Sequence, residues 1–155
     1  MTKQQLLKLM NKYKPSTPEE VEHVLGTELH FAGAGCFREV YFLDNCPDVV
    51  IKFPLESDRS YGITHARHEA RKIKRLRRYA VLRNHVPEIL YFDRKQGVTV
   101  VPFIQEAEEQ DRHIATCGLI SKLIKHITGT TVKDIDGDNA GLDSRNRLVI
   151  VDVGY

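Results

Sequence analysis

The chain has 155 residues, 41% of them hydrophobic, so it is long enough to bury a real core and too apolar to be disordered. Its net charge of +2 gives no broad case for nucleic-acid binding, and no run approaches the ~18 apolar residues of a membrane span. Because the three cysteines are scattered and the N-terminus has no signal-peptide pattern, we expect a cytoplasmic protein with neither a membrane nor a nucleic-acid partner.

The first half of the chain predicts a helical start followed by strands and a longer helix. Thr17, Pro18 and Glu20 supply an N-cap, a first-turn proline and a capping-box glutamate, so a helix begins there. Gly26 is expected to end it. The predicted helices of this half lie near 4–13, 18–25 and 63–83, and the predicted strands near 27–33, 37–43 and 48–53.

The second half predicts a hairpin, a helix and two short strands. The hairpin strands lie near 88–93 and 98–104, around the turn 95–97. A helix near 111–128 follows, and two short strands flank the turn 143–146. Five strands around one helix, followed by a mostly helical lower part, make this an α+β protein.

A glycine-rich turn stands between the first two predicted strands. The segment Phe31–Tyr41 reads F-A-G-A-G-C-F-R-E-V-Y, with Gly33 and Gly35 at its centre. Glycines allow the backbone to approach a polyphosphate closely, because they have no Cβ. Lys52, at the end of the next strand, could reach the phosphates of the same ligand. By itself, however, the Gly-x-Gly pattern also fits an ordinary tight hairpin.

The longer helix carries one glutamate on or beside its apolar stripe. Between Ala66 and Ala80 apolar residues recur every three or four positions, and Glu69 lies among them. A buried carboxylate is costly unless a cation meets it, and Lys52 is the expected partner. The alternative is a glutamate at the rim of the helix, paired with Arg71 or Lys72.

Near the C-terminus, carboxylates and an amide are spaced as phosphoryl transfer requires. Asp134 is an isolated carboxylate suited to act as a base, and Asn139 follows five positions later. Asp152 comes directly after the apolar strand 148–151. Asn139 and Asp152 are candidate ligands for Mg²⁺, which prefers a few carboxylate or amide oxygens and leaves other positions to water and phosphates.

Together these segments resemble the protein kinase family, in a truncated form similar to small phage or bacterial-effector kinases. The matching pieces are the glycine loop 33–40, the strand lysine in 49–52, the helix glutamate, the catalytic loop 132–139 and the metal-binding triplet 152–154. The resemblance implies a five-stranded antiparallel N-lobe with one main helix, plus a reduced helical C-lobe. The implied domains are an N-terminal helical extension (1–26), the N-lobe with its hinge (27–104) and the reduced C-lobe (105–155), in one compact unit.

The resemblance also implies a role for each site residue. Asp134 would be the catalytic base, Lys52 the phosphate contact positioned by Glu69, and Asn139 and Asp152 the magnesium ligands. The residues expected to contact the nucleotide are Gly33, Gly35, Val40, Val50, Val101 and Phe103. The implied activity is transfer of the γ-phosphoryl group of ATP, with Mg²⁺, to a hydroxyl on a protein.

Some residues depart from the family pattern. Arg38 stands where the third loop glycine is usual, and we expect it to add a cation near the phosphates. Asp136 stands where a lysine often meets the transferred phosphate, and the chain stops at Tyr155 without an activation segment. These departures favour the alternative of a non-catalytic kinase-like protein that binds or inhibits a partner. Residues 1–26 lie outside the resemblance and are expected to brace the glutamate helix or recruit a partner.

Overall fold

The computed structural model describes residues 1–106, 114–129 and 140–150. The α-helices within these ranges are α1 (Lys3–Tyr13), α2 (Pro18–Leu25), α3 (Arg59–Leu76) and α4 (Ile114–Thr128). The strands are β1 (His30–Ala34), β2 (Arg38–Phe42), β3 (Val49–Pro54), β4 (Tyr91–Phe92), β5 (Thr99–Pro102), β6 (Gln105–Glu106), β7 (Ala140–Leu142) and β8 (Leu148–Ile150). The predicted α+β class is confirmed, and none of the described helices is long and apolar enough to cross a membrane.

The chain divides into two compact units. One consists of Met1–Ala70 and Ile89–Phe103, and the other of Arg71–Glu88 and Ile104–Tyr155. The first unit contains the predicted five-stranded antiparallel sheet, in the order β1-β2-β3-β5-β4. The second contains α4 and a three-stranded antiparallel sheet in the order β6-β7-β8.

Local signals explain the two N-terminal helices. Thr2 accepts a hydrogen bond from the backbone of Gln5, whose side chain accepts one from the Thr2 backbone, so α1 begins with a capping box. Thr17 caps α2 in the predicted way, and Gly26 ends it with a left-handed φ of 62°. The carboxylate of Glu20 accepts hydrogen bonds from the backbone and hydroxyl of Ser16, one residue before the cap.

Helices α1 and α2 cover one face of the five-stranded sheet. Their apolar side chains form the main core with the alternate strand residues that point to this face, which we call the core face. Its members include Leu6, Met10, Val21, Val49, Ile51, Phe53, Tyr91, Val98 and Val100. The N-terminal helices therefore stabilise the sheet. The sequence suggested that they brace α3 or recruit a partner. Arg59, the first residue of α3, also contacts this region by donating to the carbonyl oxygen of Ser16 at 3.1 Å.

Helix α3 begins four residues earlier and ends seven residues earlier than the predicted range of 63–83. The predicted inward residues Ala66, Ile73 and Leu76 are buried, but Ala80 lies beyond the helix and is exposed. After Leu76 the chain turns, and the Arg77 guanidinium donates to the carbonyl oxygens at 83 and 86 at 2.9 and 2.8 Å. This turn buries Leu82 and Val86, which a continuing helix would not have brought to the same place.

The second unit contains more sheet than the expected mostly helical lower part. The predicted strands around the turn 143–146 are present as β7 and β8. The predicted strand 98–104 is shorter in the structure, as β5, and the further strand β6 follows outside the predicted range. His85 lies in the turn region after α3 and forms two hydrogen bonds with β8. Its ring Nδ1 lies 2.8 Å from the carbonyl oxygen of Leu148, and its own carbonyl accepts from Ile150 N at 3.0 Å. Because a carbonyl oxygen can only accept, Nδ1 carries the proton.

Candidate functional site

The second face of the five-stranded sheet, the site face, brings together four residues predicted to contact the nucleotide. Val40 lies opposite Lys52 in the β2–β3 pairing, and Val50 lies opposite Val101 in the β3–β5 pairing. Directly opposed residues of antiparallel strands project to the same side, and so do alternate residues of one strand. The lysine and three apolar side chains therefore share one surface, opposite the surface that α1 and α2 cover.

The glycine turn joins β1 to β2 beside this face. Gly33 lies at an irregularity in the β1–β2 register and pairs with Val40, and Gly35 N donates to the carbonyl of Arg38 at 2.9 Å. A Cβ at either glycine would meet no atom of the described residues within 4 Å. The turn is thus a hairpin in which none of the described residues fills the space beside the glycines.

Glu69 is buried on α3, and the cation that meets it is an arginine. The side chains of Glu69 and Arg38 are each 8% exposed, and the Arg38 Nη2 donates to the Glu69 Oε2. The guanidinium Nη1 also donates to the hydroxyl of Thr99 at 3.3 Å. The burial excludes the alternative of a rim glutamate. The proposed Lys52–Glu69 pair stays a prediction.

Arg38 was expected to add a cation near the phosphates, and the structure shows that its guanidinium is paired with Glu69. The side chain leaves β2 on the site face, as Val40 does two residues later, and ends against α3. The guanidinium forms an ion pair with a buried carboxylate. An unpaired carboxylate at that position would lower the stability of the fold. Strand alternation alone would have placed Arg38 on this face. The carboxylate that receives it depends on how α3 packs.

Phe37 and Gly62 are further contacts that sequence reasoning missed. The Phe37 ring stacks on Tyr61 and His65 of α3, with centroid distances of 6.5 and 5.0 Å. A Cβ on Gly62 would lie 2.7 Å from the carbonyl oxygen of Phe37 and 2.6 Å from Cβ of Pro54. The start of β2 therefore lies directly against α3.

Of the remaining predicted site residues, the structure describes Phe103 but not the predicted base or the predicted magnesium ligands. Phe103 is 50% exposed after β5, and its backbone N donates to the carbonyl of Asp48 at 2.8 Å. Asp134, Asn139 and Asp152 lie outside the described residues, as does Asp136. Within the described ranges, no group of three His, Cys, Asp or Glu residues is placed to hold a metal ion. The base and the magnesium ligands therefore stay predictions.

Solved structures similar to this chain include phosphotransferases. APH(2'')-IIa, in a ternary complex with streptomycin and ATP, is 15% identical with a TM-score of 0.38, covering 62% of this chain and 31% of that chain. The ADP-bound aminoglycoside phosphotransferase APH(2'')-Ib is 13% identical with a TM-score of 0.43, covering 66% and 36%. The apo form of PpkA-294 is 15% identical with a TM-score of 0.47, covering 83% and 57%.

The chain thus spans between 31% and 57% of the length of these structures. No protein-family model and no curated protein sequence matches it. At these identities and TM-scores, the likeness carries no argument about the activity, the substrate or the site residues of this chain.

Proposed function

We propose that this protein is an ATP- and Mg²⁺-dependent phosphotransferase of minimal protein kinase type, acting in the cytoplasm on a hydroxyl of a protein. One observation carries the proposal. The site face presents a lysine among apolar side chains, next to a glycine turn with open space beside it. An apolar surface suits a nucleotide base, and an open backbone turn beside a lysine suits its phosphates.

Each residue of the proposed site has a separate task. Val40, Val50 and Val101 contact the base. Backbone N–H groups of the turn at Gly33 and Gly35 hold the phosphates, which Lys52 also contacts as a point charge. These contacts orient the γ-phosphoryl group, and positioning of this kind is the main contribution that a protein makes to phosphoryl transfer.

The second half of the proposed site rests on sequence residues. Asp134 orients the acceptor hydroxyl and takes its proton. Asn139 and Asp152 hold Mg²⁺, because amide and carboxylate oxygens are ligands that this ion accepts. When bound, the ion neutralises negative charge on the phosphate oxygens.

Two measurements on the purified protein test the proposal. Millimolar ATP with Mg²⁺ should raise the melting temperature through linkage, and Asp152→Asn should reduce that shift. Incubation with γ-labelled ATP and a cell extract should label protein, and Lys52→Met and Asp134→Asn should abolish the labelling. A melting shift without any labelling would instead indicate the non-catalytic binding protein. The absence of a shift in wild type and mutant would overturn the nucleotide site itself.

A further inference from the structure

We propose that Arg38 is a positioning residue of this site, which links the glycine turn to α3 by holding Glu69. The inference rests on the proposed phosphotransferase function. Arg38, which replaces the third glycine of the loop, acts by positioning Glu69 and does not contact the nucleotide.

The first observation is that the buried guanidinium has two partners. Arg38 donates to the Glu69 carboxylate and to the Thr99 hydroxyl, and both charged side chains are 8% exposed. Removal of one partner of a buried ion pair leaves an uncompensated charge in the interior. Arg38 therefore contributes to the orientation of Glu69. Since the two residues are 31 positions apart, this contact joins β2 to α3 across the fold.

The second observation is the packing on either side of this contact. Phe37, one residue before Arg38, stacks on Tyr61 and His65, which lie about two turns and one turn before Glu69 on α3. The Phe37 carbonyl accepts from Leu55 N at 3.0 Å and lies against Gly62. Residues 37 and 38 thus hold α3 at two separate places along its length.

These contacts have a consequence for the turn. Gly35 N donates to the carbonyl of Arg38, so the backbone of the residue that holds Glu69 also closes the hairpin. A shift of α3 that carries Glu69 with it must therefore displace the base of the glycine turn. The phosphate-binding backbone and the helix are positioned together, with Arg38 as the common element.

The test uses Arg38→Met, Glu69→Gln and the double variant, with Arg71→Met as a matched control. Arg71 is an exposed cation on the same helix, so its loss removes charge without touching the buried pair. Transfer rates are measured as kcat and KM for ATP. Backbone amide exchange is measured without nucleotide for residues 33–40 and for α3.

Arg38→Met and Glu69→Gln should each lower kcat at least about tenfold, and the double variant should be no worse than the poorer single one, because both remove the same contact. Amide exchange should rise in the glycine turn and in α3 together, whereas Arg71→Met should change neither. If Arg38→Met raised KM for ATP alone and left kcat and exchange unchanged, Arg38 would be a phosphate contact and the inference would be overturned. Additive losses in the double variant would overturn it as well.

Two further cases are covered by the experiment: a variant that does not fold, and a wild-type protein that transfers no phosphate. If Arg38→Met does not fold, Thr99→Val removes only the hydrogen bond from the guanidinium to the Thr99 hydroxyl and leaves the ion pair intact. It should raise exchange at the same two segments. Should the wild type transfer no phosphate, the proposed function fails. The exchange data then decide the Arg38 link independently, and unchanged exchange in the turn and α3 would reject it.

Discussion

Gly62 on α3 lies against the carbonyl oxygen of Phe37, at a distance that leaves no room for a side chain. A Cβ there would stand 2.7 Å from that oxygen and 2.9 Å from Cα of Pro54. Both obstacles are backbone atoms, so neither can move away by changing a rotamer. Gly62 is thus the place where the helix meets the beginning of β2 and the end of β3.

Gly62→Ala is therefore expected to reduce stability, although alanine is the better helix former. The gain in helix propensity is about 1 kcal/mol, and the overpacking cost is about 1–3 kcal/mol. We expect the free energy of unfolding in urea to fall. Gly118→Ala in α4 is the matched control, because a Cβ there meets nothing within 4 Å, and it should raise stability. An increase for both variants would contradict the tight contact at Gly62.

Gly35→Ala separates the two interpretations of the glycine turn. Because a Cβ at Gly35 meets no atom within 4 Å in the described part of the chain, the free energy of unfolding should change by less than about 0.5 kcal/mol. If phosphates lie against the turn, the same methyl group should weaken ATP binding by about tenfold, or about 1.4 kcal/mol. Isothermal titration with ATP and Mg²⁺ measures the affinity. Unchanged affinity would favour an ordinary hairpin.

Tyr91→Phe is expected to leave stability unchanged or to raise it by about 1 kcal/mol. Tyr91 is 7% exposed, and its hydroxyl has no hydrogen-bond partner among the residues that the structure describes. Burial, together with the nearby Asp93, raises the pKa of this phenol to about 12. Tyr41→Phe is the control, because the Tyr41 hydroxyl donates to Glu39 at 3.0 Å and its loss should be the more costly change. Thermal melting of both variants decides between these outcomes.

The turn between β7 and β8 should weaken at acid pH. One Asp143 oxygen accepts from the backbone N of Arg145 and of Arg147, both at 2.9 Å, and the other accepts from the Arg147 guanidinium at 2.8 Å. Burial alone would raise the pKa of Asp143, but these hydrogen bonds outweigh it and lower the pKa below its ordinary 3.8. The carboxylate therefore stabilises the turn fully above about pH 4, and the stabilisation is lost as the pH falls through the lowered pKa.

Asp143→Asn should remove this part of the pH dependence. We expect a loss of about 1 kcal/mol at neutral pH, since hydrogen bonds to a charged acceptor are stronger than those to an amide. Urea unfolding between pH 3 and 7 compares the variant with wild type. Equal stability at pH 7, or parallel curves down to pH 3, would show that the carboxylate does not hold the turn.

The sequence alone identified the elements in which a short-range signal is sufficient. Caps at Thr17 and Gly26 marked α2, because an N-cap hydroxyl and a left-handed glycine act within one turn of the chain. The spacing of apolar residues also placed Glu69 on or beside the inward stripe, and its burial in the structure decided against a position at the rim. The same reasoning failed at the end of α3, where the apolar period continues to Ala80 but the helix stops at Leu76. Burial of Leu82 and Val86 favours the turn, and no signal within the helix reports it.

The amino-acid sequence determined which buried charged side chains need a partner of opposite charge. Only the tertiary structure decided which residue supplies that partner. A glutamate in an apolar stripe requires a cation, and that requirement is local. That Arg38 meets it depends on the pairing of β2 with β3 and on the packing of α3 at Gly62, contacts that join segments far apart in the chain. Likewise, alternation divides each strand into two sets of side chains, but the packing of α1 and α2 decides which set becomes the core face.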